Sequence, residues 1–145
     1  MRAAQVRTER HRGREAALQL LYQWEIGRFE ANDFDDAVDL FWTVHPAPRA
    51  RRDFATALVK GTTAHLAVID PLIERNAANW RLARMAVIDR LIMRLAIYEF
   101  LHADTPSPVV IDEALELAKT FSADQAVGFV NGVLDGVRRE LEDES

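Results

Sequence analysis

The sequence predicts an all-α fold of about seven helices. Three observations lead there. Apolar residues recur at i, i+3, i+4 and i+7 along most of the chain, no stretch alternates in the strand period, and Asn, Asp, Pro and Ser punctuate the periodic segments. At 145 residues, with 49% hydrophobic and 28% charged side chains, the chain can bury a core as one domain over 1–145. Within it we expect sub-bundles over about 8–70 and 80–142 and a basic arm over 1–14. The absence of cysteine excludes disulfides and thiolate zinc sites and suits a cytoplasmic protein. No apolar run approaches the roughly 20 residues of a membrane span. Nor does an apolar segment of roughly 7–15 residues follow the basic start, as in a secretory signal.

The first helix is predicted from about Thr8 to Gly27, a residue type suited to ending a helix, with Ala17, Leu18, Leu21 and Trp24 inward. Asn32-Asp33 introduces a short helix with Phe34, Ala37, Val38 and Phe41 inward, stopped by Pro46 and Pro48. A third helix begins near Ala50 and carries Phe54, Leu58, Leu66 and Ile69. Asp70-Pro71 marks either a kink or a fresh start capped by Asp70. Residues 76–79 read as a connection. A strongly apolar helix follows from about Leu82 to His102, with Met85, Ile88, Leu91, Ile92, Leu95 and Tyr98 as the spine of the second half.

The last third reads as two helices and one tight turn. Ile111, Ala114, Leu115, Ala118 and Phe121 form the first stripe, with Ser107 as N-cap and Pro108 at the first helical position. Ser122 and Gln125 have the spacing of a capping box for the second helix, whose stripe is Val127, Val130, Leu134, Val137 and Leu141. Gly128, Gly132 and Gly136 fall at i, i+4 and i+8 beside that stripe. Each costs about 1 kcal/mol against alanine in a helix, which points to close approach by another helix or a ligand.

Charge is distributed unevenly. The net charge is −5, yet residues 1–14 hold Arg2, Arg7, Arg10, Arg12 and Arg14 against Glu9 alone. The remainder carries 13 basic and 22 acidic side chains. In the register of the first helix, Arg7, Arg10, His11 and Arg14 continue the core face outward as a basic face. Like charges at those spacings repel, and cations at an N-terminus oppose the macrodipole. The arm is therefore either a solvated terminus or a surface that awaits an anion.

Signals for catalysis and cofactors are missing. The sequence has no phosphate loop, dinucleotide fingerprint or nucleophile elbow. His11, His45, His65 and His102 lack metal-ligand spacing and read as surface or capping residues. Asp33, Asp35, Asp36 and Asp39 lack the glycine and distal glutamate of a calcium loop. We expect no enzyme, no cofactor and no metal.

IDEALELAKTF, a polar turn and FVNGVLD, running in order over Ile111–Asp135, resemble the C-terminal signature of the NusB family. The arginine-rich arm leading into REAALQLLYQWEIG resembles the same family's N-terminal pattern. The resemblance implies two small helical bundles and a transcription antitermination factor. Such a factor binds boxA RNA together with NusE, a small-subunit ribosomal protein, and joins RNA polymerase, notably on ribosomal RNA operons. Carried over residue by residue, it implies phosphate contacts at Arg10, Arg12 and Arg14, with Arg7 and His11 in the same arm. It implies base contacts at Tyr22 and Phe129, an RNA-proximal Gln125, and a NusE-facing helix around Asp89. Two residues depart from the family pattern: His11 stands where the arm commonly has arginine, and Ser107 where the partner face commonly has an aromatic. The related alternatives are the RNA-binding domain of ribosomal-RNA cytosine methyltransferases and a homodimerising module that uses the glycine row. On a helical wheel Phe129 lies about 110° from the core stripe, open to base stacking or to packing beside Tyr22.

Overall fold

The computed structural model describes residues 2–27, 33–78 and 80–144, the first three of these as backbone alone. In chain order the helices are α1 (Arg2–Gly27), α2 (Phe34–Val44), α3 (Arg49–Ala64), α4 (Leu66–Asn76), α5 (Val87–His102), α6 (Ser107–Phe121) and α7 (Ala126–Asp143). A 3-10 turn, Leu82–Arg84, precedes α5. No strand occurs among the described residues, and no described helix is long and apolar enough to cross a membrane. The chain divides into two compact units, 1–60 and 61–145, with the boundary inside the last turns of α3.

In the first unit, α1 starts at Arg2, six residues before the expected Thr8, and ends at Gly27 as expected. Ala17, Leu18 and Leu21 are buried, Leu20 joins them, and Trp24 is half-buried. The expected Asn32 lies outside the described residues. Helix α2 buries Phe34, Val38 and Phe41, and also Trp42. Trp42 Nε1–H donates to Thr56 Oγ1 at 3.0 Å, which ties α2 to α3. The end of α2 is closed by His45: its backbone N–H and Nδ1 both reach the carbonyl of Phe41, at 2.8 and 3.2 Å. Pro46 and Pro48 then prevent continuation.

In the second unit, α5 packs against α4, α6 and α7. Every residue from 91 to 97 is buried, so no face of this stretch is left to solvent. That run includes Arg94, 6% exposed, whose Nε and Nη2 donate to the two carboxylate oxygens of Asp70 at 2.9 and 3.0 Å. Asp70 is therefore a counter-ion rather than a cap. Of the kink or fresh start expected at Asp70-Pro71, the fresh start falls instead at His65, and Pro71 sits in the second turn of a continuous α4. At that break His65 Nδ1–H donates to the Gly61 carbonyl at 2.7 Å. A Cβ on Gly61 would lie 2.1 Å from Tyr98 Cζ, so glycine lets the tyrosine ring of α5 lie on the end of α3. Sequence spacing does not foresee that His65 and His102 meet, with ring centroids 4.4 Å apart.

Three terminal assignments shift in this unit. The α-helix begins at Val87 rather than Leu82, because residues 82–84 form the 3-10 turn. Ser107 is the first helical residue of α6, with Pro106 before it and no side-chain cap bond. The capping box does not form: α7 begins at Ala126, and Ser122 Oγ donates instead to Asp89. The stripe of α6 is rotated by about one residue, to Val110, Ala114, Leu117 and Ala118, leaving Ile111 and Leu115 half-buried and Phe121 37% exposed. Helix α7 buries Val130, Leu134 and Val137 as expected, along with Ala126 and Val133.

The glycine row divides. Nothing lies within 4 Å of a Cβ built on Gly128 or Gly132, whereas one on Gly136 would lie 2.5 Å from Asn76 Oδ1. Close approach is thus confined to Gly136. Asn76 is held there by Nδ2–H donation to the Leu72 carbonyl at 2.9 Å and to Glu140 Oε1 at 3.1 Å. Arg75 Nε donates to Glu140 Oε2 at 3.2 Å, completing a junction between α4 and α7. Hydrogen bonds from Arg75 and then Asn76 hold the Glu140 carboxyl below its ordinary range.

Four outcomes follow from this packing. Asp70→Ala leaves the Arg94 guanidinium buried without its carboxylate and should cost about 3–5 kcal/mol in denaturant unfolding. Loss of a cap would cost only about 1 kcal/mol. Gly132→Ala should stabilise by about 1 kcal/mol through helix propensity. Gly136→Ala should instead destabilise by about 1–3 kcal/mol, because Asn76 cannot move without losing its bonds. Since the folded-state pKa of Glu140 is lowered, its contribution is present above the unfolded carboxylate range, near 4.5, and is lost as pH falls through the folded value. A Glu140→Gln variant should therefore show a flatter stability curve below that pH than the parent, measured by urea unfolding across an acid series.

Candidate nucleic-acid interface

The arm in the first unit is helical, and its cations lie on the first turns of α1. Arg7, Arg10 and Arg12 are exposed, and His11 is half-exposed with its Nε2 3.9 Å from Glu15. Arg14 differs: it is 5% exposed, and its guanidinium carbon lies 5.5 Å from the centre of the Phe54 ring. The Arg10 guanidinium lies over the same ring at 4.4 Å. The structure thus brings Arg10 and Arg14 together on one aromatic of α3 and leaves Arg7, Arg10 and Arg12 available to an anion. Tyr22, two turns further along α1, is 41% exposed.

Residue 51 was not foreseen. Arg51 Nε and Nη2 donate to Glu9 at 3.1–3.2 Å, and Arg12 Nη1 approaches Glu9 at 3.8 Å. The Arg51 guanidinium holds the Glu9 carboxyl below its ordinary range. The arm's single acid is therefore occupied by a cation from another helix, and its charge is cancelled locally.

The second unit contains a cleft of about 350 Å³ lined by Trp80, Arg84, Asp89, Gln125 and Phe129 among others. Three of the expected residues, Asp89, Gln125 and Phe129, meet here. Phe129 is half-buried, and its ring partner is Trp80, edge-on with centroids 6.4 Å apart. Trp80 is 54% exposed. Gln125 is exposed at the residue before α7. Asp89, in the first turn of α5, is 8% exposed and accepts from Ser122 Oγ, so it forms the floor rather than the rim.

The segment that presents Trp80 is tied at several points. Ala78 turns the chain with φ of 39°, in the left-handed region. The Trp80 N–H donates to the Ala77 carbonyl at 3.3 Å, and the Leu82 N–H donates to Glu74 Oε2 at 3.1 Å. Arg90 Nη1 donates to the Leu82 carbonyl at 3.1 Å, fastening the 3-10 turn to α5. Trp80 escaped the sequence reading because it lies in a connection without periodicity, and Arg84 because residues 82–84, expected as the start of a helix, form the 3-10 turn. The signal for them was their composition: a tryptophan and two arginines in Asn79–Arg84. Aromatic faces and guanidiniums together suit unpaired bases and phosphates.

A family model described as the NusB family matches residues 11–139. The transcription antitermination protein NusB of Solibacter usitatus (strain Ellin6076) is 47% identical over 134 residues, covering 91% of this chain and 90% of that protein. This chain belongs to the NusB family. The NusB of Anaeromyxobacter dehalogenans (strain 2CP-1 / ATCC BAA-258) is 45% identical over 135 residues, covering 92% of this chain and 93% of its own. Among solved structures, T. maritima NusB superposes with a TM-score of 0.78 at 34% identity, covering 90% of this chain and 91% of that one. A complex of the antitermination factors NusB and NusE with double-stranded RNA matches with a TM-score of 0.76 at 24% identity, covering 92% and 98%. At that identity the match speaks for the NusB fold alone.

Proposed function

We propose that this NusB-family chain is a transcription antitermination factor that acts in the cytoplasm and binds boxA-type RNA through its arm and its aromatic cleft. The observation that carries the reading is the arm, a helix that leaves Arg7, Arg10 and Arg12 exposed on a protein of net charge −5. Relatives at 45–47% identity are transcription antitermination proteins, which supports the same reading. Phosphates engage Arg7, Arg10 and Arg12, with His11 beside them. Arg14, buried on Phe54, supports the arm from within. Bases stack at Phe129, with Gln125 at the cleft edge, and Tyr22 offers a second aromatic face. NusE is the protein partner, meeting the helix that carries Asp89, and the assembly joins RNA polymerase. The role is non-catalytic: the chain holds RNA and partner in register. Self-association would compete by covering the open Gly128 and Gly132.

Salt titration of a boxA oligonucleotide tests the arm. Three arginine–phosphate contacts predict a log K against log salt slope of about −2, and Arg10→Ala should flatten it by about 0.7. An unchanged slope would remove the arm from the interface. Phe129→Ala should weaken RNA binding by about 1–3 kcal/mol if the ring stacks on a base. If the ring serves only the protein core, RNA affinity stays level while unfolding shows a loss of about 3–5 kcal/mol.

A further inference from the structure

The arm of α1 has every local reason to fray. Its first turn contains no acid, its residues 5–10 are all exposed, and Arg7, Arg10, His11 and Arg14 stand at like-charge spacing. It is nonetheless helical back to Arg2. Two contacts from α3 offset the repulsion. Arg51 grips both oxygens of Glu9 with Nε and Nη2, at 3.1–3.2 Å, across 42 residues of sequence. One turn along α3, the Phe54 ring presses on Gly13, where a Cβ would come within 2.5 Å of Phe54 Cδ2. The ring therefore seats between Arg10 and Arg14, whose guanidiniums lie 4.4 and 5.5 Å from its centre. Cation–π attraction replaces part of the hydration that these crowded cations would otherwise compete for.

We propose that Arg51 and Phe54 are positioning residues that hold the arginine arm as a preformed helix, so that its exposed cations meet RNA without first being ordered. The proposal rests on the reading that the arm binds RNA. Arg51 is 20% exposed and directs two of its nitrogens at Glu9, so its part is to fix the arm rather than to bind phosphate. Glu9, an acid within an anion-binding arm, has a use in this arrangement: it is the handle by which α3 holds α1. Preorganisation of this kind raises affinity by lowering the ordering cost at the moment of binding.

A charge swap in the full chain tests the clamp. Amide hydrogen exchange over residues 5–12 and affinity for a boxA oligonucleotide are measured for Glu9→Arg, Arg51→Glu and the double variant, which keeps the parent's net charge. Each single variant should speed exchange in the arm while the amides of α5 remain protected, showing that the fold is intact. Arg51→Glu should weaken RNA binding by about tenfold, in line with lost preorganisation. The double variant should recover both arm protection and affinity. Unchanged arm exchange in the single variants overturns the clamp. A double variant that regains protection but binds RNA as weakly as Arg51→Glu also overturns it, by making Arg51 a direct phosphate contact. Arg7→Ala serves as the control for the underlying reading: if it leaves RNA affinity unchanged, the arm is not the RNA site, whatever the exchange data show.

Discussion

A helix buried all round over its middle turns must find a partner for any charge it buries, and α5 carries Asp89, Arg94 and Glu99 within its buried positions. Leaving such a charge unpaired costs several kcal/mol, more than most single apolar contacts contribute. The Arg94–Asp70 pair therefore fixes a face of α4 against α5, within a helix that runs on through Pro71. The Asp89 carboxylate imposes a similar demand at the other end of the helix. It takes the hydroxyl of Ser122, which would otherwise have been free to cap α7. That one bond fixes the turn between α6 and α7 beside the start of α5, and the cleft with Trp80 and Phe129 opens at that place.

The arm poses the same electrostatic problem with the opposite solution. Its cations stay in water, where repulsion is weak and where an anionic ligand can reach them. Among the described side chains of the arm, Arg14, the innermost, passes into the protein, with its guanidinium beside the Phe54 ring. Under the proposed function, the two surfaces supply different parts of nucleic-acid recognition. The arm offers long-range, sequence-independent attraction, and the cleft offers flat faces and hydrogen-bonding edges at short range.

Much of this was legible in the chain. The all-α class, the end of α1 at Gly27, the inward faces of α1 and α2 and the apolar spine of α5 all follow from spacing and punctuation. So did the charge asymmetry of residues 1–14, and the family likeness of Ile111–Asp135. These are local properties, carried by residues within a few turns of one another, and periodicity reads such properties well.

The remainder required contacts between distant residues. Both Ile111–Leu115 and Val110–Leu117 are apolar rows on α6, and only the helices packed against it choose between them. Three glycines at equal spacing look equivalent, yet Asn76 occupies the space at Gly136 while the other two stand open. Asp70 before a proline reads as a cap until Arg94, 24 residues on, claims it, and Ser122 reads as a cap until Asp89 does. Trp80 and Arg51 acquire their meaning only from Phe129 and Glu9. A polar side chain goes to the strongest partner within reach, and which partners are within reach is a property of the folded chain, not of its local sequence.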